Sequence, residues 1–316
     1  MFDVTAIGEL LIDFTHKSSD EMGYPTMEAH PGGAIPNLLA AVAKFGGTCA
    51  QLGKVGDDAF GKLLLHTLQD AGIDISGMTI DPTVFTTLAF VTIDGTGDRS
   101  FSFARKPGSD MCIRFEEIDL SLIDQAKIFH FGTLSLTDEP ARSATKKAIA
   151  YAKAQGKLIT LDPNLRLPLW PNAEAAREQM LWALAQADVV KISDNEVEFL
   201  FNLSPEDGAK FLLKEYGCKL VFVTCGAEGA VYANRNGIGR VAGLKNVKVV
   251  DTTGAGDIFG GSALWKMLQL GKAPESLTGE EMASIASFAC TAASLSTQKP
   301  GGVSSVPEYH DVMRFV

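Results

Sequence analysis

Residues 251–261 read DTTGAGDIFGG, and the run behind them, SALWKMLQLGK, has the spacing of apolar residues that predicts a helix. A glycine-rich turn therefore stands where a helix begins. Glycine allows the backbone to come close to a ligand and to adopt positive φ, and the free N–H groups of a helix N-terminus attract an anion. We therefore predict that Gly254, Ala255 and Gly256 form a phosphate-binding loop.

The same loop ends in a carboxylate, that of Asp257. A carboxylate repels a bound phosphate, so its presence indicates a task. Removing the proton from a hydroxyl group that attacks the phosphate is a task that fits. The alternative is an aspartate that only stabilises the helix N-terminus through the helix dipole. The loop alone leaves both explanations open.

Strands and helices alternate along the rest of the chain. Runs rich in β-forming residues stand next to stretches with helical periodicity, which predicts βαβ units and a mostly parallel sheet covered by helices on both faces. In such sheets, ligands bind where the carboxyl ends of strands lead into helices. The apolar run NVKVV, before the glycine-rich turn, is interpreted as one of these strand ends. The other predicted strands are FDVTAIGE, TCAQLGKVG, AKIFHFG, GKLITLD, ADVVKIS and CKLVFVTCG.

Residues 83–105 break this rhythm. Their sequence, TVFTTLAFVTIDGTGDRSFSFAR, alternates apolar and polar residues around a glycine-containing turn, which predicts a hairpin with one solvated face. Inside an α/β protein such a hairpin is either an extension of the sheet or a flap. Because the chain has no linker and no low-complexity segment, we expect one domain over residues 1–316 with a small β appendage.

The composition excludes several classes of partner. The 316 residues carry a formal net charge of −10, which argues against nucleic acid or an anionic membrane as a partner. No apolar run approaches the roughly 20 residues that a membrane span needs, and the first residues lack the features of a signal peptide. Five cysteines, with no CxxC pair and no zinc-ligand spacing, indicate free thiols. A reducing, cytoplasmic location is therefore expected.

Two stretches resemble nucleotide-binding motifs but lack residues that those motifs require. Residues 56–63, GDDAFGKL, nearly spell a P-loop, but Leu63 stands where that motif needs a hydroxyl group for Mg²⁺, so a loop and a helix start are predicted instead. The stretch AIGELLIDF, which begins within the first predicted strand, lacks the second and third glycines of a dinucleotide-binding fingerprint.

Two separated stretches resemble the signatures of the ribokinase-like (PfkB) carbohydrate kinases. Residues 251–257 match the family pattern DTxGAGD completely, and PGGAIPNLLAAVAKFGG followed by LGKVGDDAFGKLL resembles the first family signature. The resemblance implies a three-layer α/β/α fold with a central, mostly parallel sheet and a small β lid, formed here by segments 11–30 and 85–105. It also implies ATP-dependent phosphorylation of a sugar hydroxyl group with Mg²⁺.

The resemblance assigns roles to single residues. Asp257 would be the catalytic base, and the amides of Gly254, Ala255 and Gly256 would form an anion hole. Asp13, Gly32, Gly33, Asn37 and Arg105 would bind the sugar. Asn164, Arg166, Asn195, Thr224, Gly226 and Gly229, together with Gly254 and Gly256, would bind ATP. In the NxxE pair Asn195–Glu198, Glu198 would hold Mg²⁺ through water, and the match of Asp251 and Thr253 to a K⁺ site is left open.

Without the resemblance, several of these residues have ordinary explanations. Asp13 reads as a solvated aspartate on a lid strand, and Gly32 and Gly33 read as a turn after Pro31. Arg166 reads as a member of a surface salt bridge. It is the order and spacing of the two signatures that favour the functional roles.

The stretch FARKPGSDMCI resembles a segment of the fructokinases within the family, so D-fructose is the expected sugar and fructose 6-phosphate the expected product. Two departures are Ser109, in place of a common alanine, and Ile35–Pro36, in place of Pro-Ala. Ribokinase, 2-keto-3-deoxygluconate kinase and nucleoside kinase activities remain alternatives, as does a catalytically silent sugar or nucleotide sensor. Pairing of two copies through the lid is also left open.

Overall fold

Residues 1–93 and 99–316 are described by the computed structural model, and their strands and helices alternate as the sequence predicts. The strands are β1 (Phe2–Ile7), β2 (Leu11–Ser19), β3 (Pro25–Gly32), β4 (Cys49–Gly56), β5 (Ile73–Asp74), β6 (Met78–Asp81), β7 (Leu88–Ile93), β8 (Arg99–Ala104), β9 (Ala126–Gly132), β10 (Leu158–Asp162), β11 (Val189–Ser193), β12 (Leu220–Thr224), β13 (Ala230–Asn234) and β14 (Gly237–Val241). The helices are α1 (Ala34–Lys44), α2 (Ala59–Asp70), α3 (Leu120–Asp124), α4 (Ala141–Ala154), α5 (Ala173–Leu184), α6 (Asp194–Phe201), α7 (Pro205–Glu215), α8 (Ala255–Leu270), α9 (Gly279–Ser296) and α10 (Tyr309–Val312).

The central sheet has the strand order β14-β13-β12-β11-β10-β9-β1-β4-β5, with β6 also paired to β4. All pairs from β12 through to β5 are parallel, and only β13 and β14 at one edge are antiparallel. The prediction of a mostly parallel sheet is therefore confirmed. The carboxyl ends of β1, β9, β10, β11 and β12 lie side by side along one edge of the sheet.

Both faces of this sheet are covered by helices, which explains why its strands are nearly continuous apolar runs. Successive residues of a strand point to opposite faces, and the core divides accordingly. Val189 belongs to one apolar cluster and Val190 to the other, and the same holds for Leu220 and Val221. Residues of α1, α2, α8 and α9 complete the first cluster, and residues of α3 to α7 complete the second. The result is the predicted three-layer α/β/α arrangement.

Helices α1 and α8 pack unusually closely, because α8 has a glycine at the point of contact. A Cβ atom at Gly261 would lie 2.1 Å from the carbonyl oxygen of Leu38, so no larger residue fits there. This close approach explains the glycine at position 261, the last residue of DIFGG. It also brings the start of α1 next to the start of α8, where Asp257 stands.

A second, four-stranded sheet has the order β3-β2-β7-β8 and is formed by the two segments predicted as the lid. Strand β2 pairs with β3 in antiparallel and with β7 in parallel orientation. The predicted turn of the second lid segment falls on residues 94–98, which lie outside the described residues. The lid thus joins residues far apart in sequence above the edge where the central strands end.

One expectation about local structure is wrong. The apolar run before the glycine-rich turn is not a strand: residues 242–254 form an extended loop, and Val249 and Val250 are exposed. The amides of Val250 and Asp251 donate to the carbonyl oxygen of Thr297 at 2.7 and 3.0 Å. Two hydrogen bonds to the end of α9 therefore hold this loop, instead of a sheet ladder.

Three smaller expectations can be compared with the structure. Residues 56–63 are the end of β4 and the start of α2, and Asp58 caps that helix through the amides of Phe60 and Gly61. All five cysteines are free thiols. Within residues 1–93 and 99–316, no helix has the length and apolarity that crossing a membrane requires.

Candidate active site

A cavity of about 510 Å³ opens where the carboxyl ends of the parallel strands meet the N-terminus of α8. This is the place that the βαβ pattern predicts for a ligand. The sheet side of its lining comes from the carboxyl ends of four strands and the residues that follow them. These are Glu9 after β1, Asn164 and Arg166 after β10, residues 193–196 at the end of β11, and residues 224–226 at the end of β12. The lid contributes Leu11, Asp13, Val91 and Phe103, and the α8 loop contributes Thr252, Thr253, Gly254, Gly256 and Asp257.

Asp257 lies in the first turn of α8, and both of its carboxylate oxygens are held by amide groups. Asn37 Nδ2 donates to Oδ2 at 2.9 Å, and Asn164 Nδ2 donates to Oδ1 at 3.2 Å. Asn164 adopts a φ of 50°, which asparagine tolerates better than most residues. Asn37 and Asn164, which the family resemblance assigns to the sugar and to ATP, therefore both contact the predicted base.

The charge of Asp257 depends on its surroundings. Burial raises the pKa of Asp257 to about 6, while the Lys191 ammonium, the hydrogen bond from Asn37 and the Arg166 guanidinium oppose that rise. Glu9 adds a repulsion that raises the pKa further. A carboxyl group with this pKa is mostly ionised at pH 7 and can accept a proton, which is the state that a general base needs.

The glycine-rich loop presents part of the predicted anion hole. Gly254, with a φ of 76°, precedes the first residue of the 16-residue helix α8, and both Gly254 and Gly256 line the cavity. Ala255 does not line it, and its amide donates to the carbonyl oxygen of Thr252 at 3.3 Å. The amides of Gly254 and Gly256 are therefore the ones available to an anion, with the helix dipole behind them.

Asp251 connects two loops beside this helix start. Its Oδ1 accepts hydrogen bonds from the amide and the hydroxyl group of Thr253 at 2.9 and 2.7 Å, and its Oδ2 accepts one from the amide of Gly301 at 3.0 Å. The loop STQKPGG thus closes against the DTTGAGD loop. The carboxylate fixes the conformation of the loop that carries Gly254.

At the lid end of the cavity, Asp13 is placed by a glycine on the neighbouring strand. A Cβ atom at Gly32 would lie 2.0 Å from Asp13 Oδ2, so the carboxylate occupies the space that a side chain would fill. Burial raises the pKa of Asp13 to about 6, with Arg166 opposing and Asp251 adding to the rise. Gly33 follows with a φ of 118° and lines the cavity. Asp13 is thus not a freely solvated aspartate.

Comparison with known proteins agrees with this geometry. Residues 1–309 match the pfkB family of carbohydrate kinases. The chain belongs to the PfkB family. It is 40% identical over 317 residues to fructokinase-1 of Zea mays, an alignment that covers 99% of this chain and 97% of that protein. These matches make the chain a sugar kinase.

Solved structures of PfkB kinases superpose on the whole chain. A fructokinase from Xylella fastidiosa with bound ATP has a TM-score of 0.91 and 30% identity, covering 100% of this chain and 98% of that one. A double mutant of the Vibrio cholerae O395 fructokinase, bound to fructose, ADP and potassium ion, has a TM-score of 0.87 and 31% identity, covering 99% and 98%. The ribokinase-like fold predicted from the sequence is thereby confirmed.

The PfkB resemblance assigns Arg105 to the sugar, and here the structure requires a correction. Arg105 is buried and does not line the cavity. Its Nε and Nη2 both donate to Asp110 Oδ2, at 2.9 and 2.6 Å, and its other contacts are Thr137 Oγ1 and the carbonyl oxygen of Leu134. Arg105 therefore ties the end of lid strand β8 to the cavity wall at Leu134 instead of reaching the sugar volume.

The metal role of Glu198 also requires a correction. Glu198 is exposed and lies outside the cavity, whereas Glu196, on the same helix, is buried and lines it. Positions two apart on a helix point about 200° apart, so the two glutamates cannot share a site. Glu196 Oε1 accepts from the amide of Leu165 at 2.7 Å, and Oε2 accepts from the amide of Ser193 at 2.8 Å. Of the two glutamates, Glu196 is therefore the one whose carboxylate faces the cavity.

The other residues assigned to ATP are divided by the structure. Arg166, Asn195, Thr224 and Gly226 line the cavity. Gly229 does not: a Cβ atom there would lie 2.1 Å from the carbonyl oxygen of Val241. This glycine allows a close backbone contact in the fold and is not placed to touch a ligand in the cavity.

Glu9 and Lys191 are further charged cavity residues that the sequence analysis missed. Glu9 is 2% exposed, and its Oε1 accepts from the amide of Ala34 at 2.6 Å at the start of α1. Burial raises the pKa of Glu9 to about 7. Lys191 of β11 is mostly buried, with a side chain that is 12% exposed, and forms an ion pair with Asp162 of β10, with 2.9 Å between Nζ and Oδ2. The available signal was the presence of charged residues in otherwise apolar strands or strand ends: Glu9 in GELLIDF, Asp162 in TLD and Lys191 in VVKIS.

Proposed function

We propose that this PfkB kinase transfers the γ-phosphoryl group of ATP to D-fructose, giving fructose 6-phosphate and ADP. The observation that carries the proposal is the position of Asp257 at a helix N-terminus, in one cavity with the lid carboxylate Asp13 and with Arg166 and Thr224. The choice of sugar is supported by the fructokinase relatives, one of them solved with fructose and ADP.

In the proposed reaction, the fructose O6 proton passes to the Asp257 carboxylate while O6 bonds to the γ-phosphorus, and the bond from that phosphorus to the ADP oxygen breaks. The amides of Gly254 and Gly256 face the charge on the transferred group, where the helix dipole adds to their effect. Asn37 and Asn164 hold the base with one lone pair of each oxygen still available. Their two hydrogen bonds fix the direction from which Asp257 takes the proton.

Different charged side chains of the cavity suit different parts of the reactants. Asp13 accepts hydrogen bonds from sugar hydroxyl groups, and the backbone near Gly33 allows the sugar to approach. Arg166 is exposed and presents its guanidinium to phosphate oxygens, for which paired N–H donors are well suited. The match of Asp251 and Thr253 to a K⁺ site is part of the same proposal, supported by the potassium ion in the Vibrio cholerae relative.

Magnesium fits the oxygen-rich wall formed by Glu196 and its neighbours Asp194 and Asn195. Among the described residues, no group of three or more His, Cys, Asp or Glu side chains could enclose a metal ion. That agrees with Mg²⁺, which is bound through waters and substrate phosphates more often than by a cage of side chains. Bound there, the ion would neutralise charge on the β- and γ-phosphates, and Glu196 would orient its waters.

The sugar assignment is tested by ADP release with fructose, ribose, 2-keto-3-deoxygluconate and a nucleoside, each at several concentrations. We expect the highest kcat/KM with fructose, and phosphorus NMR of the product should show a phosphate ester at O6. Faster turnover of ribose or of the keto-acid would contradict the fructose assignment. Binding of sugar and ATP with no turnover of any of them would favour the sensor alternative.

The metal assignment is tested by a matched pair of variants on one helix. Glu196→Gln is expected to raise the Mg²⁺ concentration needed for half-maximal rate by about tenfold, a typical cost when an outer partner of a metal is lost. Glu198→Gln, the same change on the exposed face, is expected to leave that concentration unchanged. Magnesium titrations at saturating sugar decide between the two, and an effect confined to Glu198→Gln would restore the original assignment.

A further inference from the structure

Lys191 and Asp162 form a buried ion pair directly beneath the phosphate-binding loop. Lys191 Nζ lies 2.9 Å from Asp162 Oδ2, and their side chains are 12% and 3% exposed. A Cβ atom at Gly256 would lie 3.0 Å from Lys191 Nζ, so the ammonium group almost touches the first turn of α8. Lys191 also lines the main cavity. The ammonium group therefore lies beside Gly256, the residue that precedes Asp257.

The pair's charges are set by carboxylates on three different elements. Burial opposes the charge of Lys191, but Asp162, Glu196 and Asp257 more than offset it and hold the pKa of Lys191 above its usual value. Burial raises the pKa of Asp162, and the Lys191 ammonium opposes that rise. An ammonium surrounded in this way stays protonated through the neutral range, so Lys191 is a permanent cation beside the base.

Asp257 is faced by charged groups from every element packed around it. The cations are Lys191 from β11 and Arg166 from the loop after β10, and the anions are Glu9 and Asp162, while Glu196 acts on Lys191 and Asp162. Arg166 is exposed, whereas the Lys191 side chain is only 12% exposed and its ammonium group is held by Asp162. Interactions between buried charges are screened much less than those at the surface. Lys191 is therefore the cation that acts most constantly on Asp257.

Lys191 and Asp162 also line a second, small cavity. Its volume is about 20 Å³, enough for one water molecule, and it is lined by His130, Thr160, Asp162 and Lys191 together with apolar residues. His130 Nδ1 and Thr160 Oγ1 are 2.9 Å apart. Burial, with the repulsion of Lys191, lowers the pKa of His130 to about 3, so this histidine stays neutral. The cluster thus contains a single buried cation among the described residues.

We propose that the Lys191–Asp162 pair is a positioning device for proton transfer, in which Asp162 fixes the ammonium beneath Gly256 and Lys191 keeps Asp257 in its charged, proton-accepting form. The proposal rests on the role of Asp257 as base. It predicts that loss of Lys191 raises the pKa of Asp257, so that a higher pH is needed to ionise the carboxylate. Above that pH the carboxylate is ionised again and can act as the base. If Lys191 instead contacted the transferred phosphoryl group, its loss would lower the rate at every pH.

The test compares Lys191→Met, Lys191→Arg and Asp162→Asn with the wild-type enzyme across pH 5–9. In Lys191→Met we expect the acidic limb of kcat/KM to move up by about one to three pH units, the usual influence of a nearby opposite charge, with most of the rate regained at about pH 9. Lys191→Arg keeps the charge and should keep the limb. Asp162→Asn removes a negative charge and should move the limb down.

A second measurement does not depend on turnover. With ¹³C-labelled aspartate, the carboxyl resonance of Asp257 is the one missing from Asp257→Asn, and its titration midpoint should rise in Lys191→Met and fall in Asp162→Asn. If wild type phosphorylates no sugar, the proposed function fails while these midpoints still test the pair. Unmoved midpoints in both variants, or a rate loss in Lys191→Met that is equal at all pH values, would overturn the proposal. If Lys191→Met does not fold, the Asp162→Asn midpoint decides alone.

Discussion

Replacing Asp257 with asparagine is expected to lower kcat by about 10²–10⁴-fold, the usual contribution of a general base. The amide has nearly the same shape but cannot accept the proton of the sugar hydroxyl. It would also bring an NH₂ group against one of the two amides, Asn37 or Asn164, that now donate to the carboxylate. For that reason ATP binding and the unfolding temperature must be measured on the same preparation.

Two further variants make this result specific. Asp70→Asn changes an exposed aspartate in α2, far from the cavity, and should leave kcat unchanged. Asp257→Ala removes the donor–donor contact that asparagine introduces, and should be as slow as Asp257→Asn. If either Asp257 variant folds, binds ATP and retains more than about a tenth of the wild-type kcat, a cut well above the range expected for a lost base, Asp257 does not act as the base.

The second largest effect is expected from Asp13→Ala. Losing a hydrogen bond to a charged group costs about 1.5–3 kcal/mol, which corresponds to a decrease of roughly one to two powers of ten in kcat/KM for the sugar. The KM for ATP should stay near its wild-type value, because Asp13 projects from lid strand β2. Initial rates with each substrate varied in turn measure both quantities.

Glu28→Ala provides the control for Asp13, because it removes a carboxylate from the same lid sheet. Glu28 lies on β3, and its partner Lys17 is exposed like itself. This variant should change neither kinetic constant appreciably. A larger effect of Asp13→Ala on the KM for ATP than on the sugar would show that the lid end of the cavity is not the sugar end.

Much of the fold could be predicted because its signals are local. The βαβ alternation gave the parallel sheet, and the glycines of DTTGAGD marked the helix start at Gly254. The strand expected before that turn was wrong, because an apolar run such as NVKVV does not reveal whether a neighbouring strand is free to pair with it. Here Thr297 supplies the hydrogen bonds, and only the folded chain brings it there.

The errors at the site have physical reasons too. The NxxE spacing of Asn195 and Glu198 is compatible with any helix, and the phase of α6 decides which glutamate faces the cavity. That phase could have been found, since Ser193 and Glu196 form a capping box, a recognisable pattern for a helix start. The environment of Arg105 could not have been found in this way, because no spacing in the sequence indicates that its guanidinium is hydrogen-bonded to Asp110, Thr137 and Leu134.

The Lys191–Asp162 ion pair could have been predicted only in part. A charged residue in each of two apolar strands hints at a buried partner, because an unpaired charge is costly to bury. Which residues pair depends on strand order, and β10 and β11 are neighbours only in the folded sheet. The same holds for Asn37 and Asn164, whose common contact with Asp257 joins three segments distant in sequence.

The pH dependence of kcat/KM tests the central claim, that Asp257 accepts the proton, most directly. Because burial raises the pKa of Asp257 to about 6 and only the ionised form is a base, the account predicts a constant rate above that pH and a fall of about tenfold per pH unit below it. The acidic limb should remain in Asp13→Ala, whose lost carboxyl group is not the base, and should be absent from the residual activity of Asp257→Asn. A wild-type rate that does not fall between pH 7 and 5, or a limb that persists in Asp257→Asn, would contradict it.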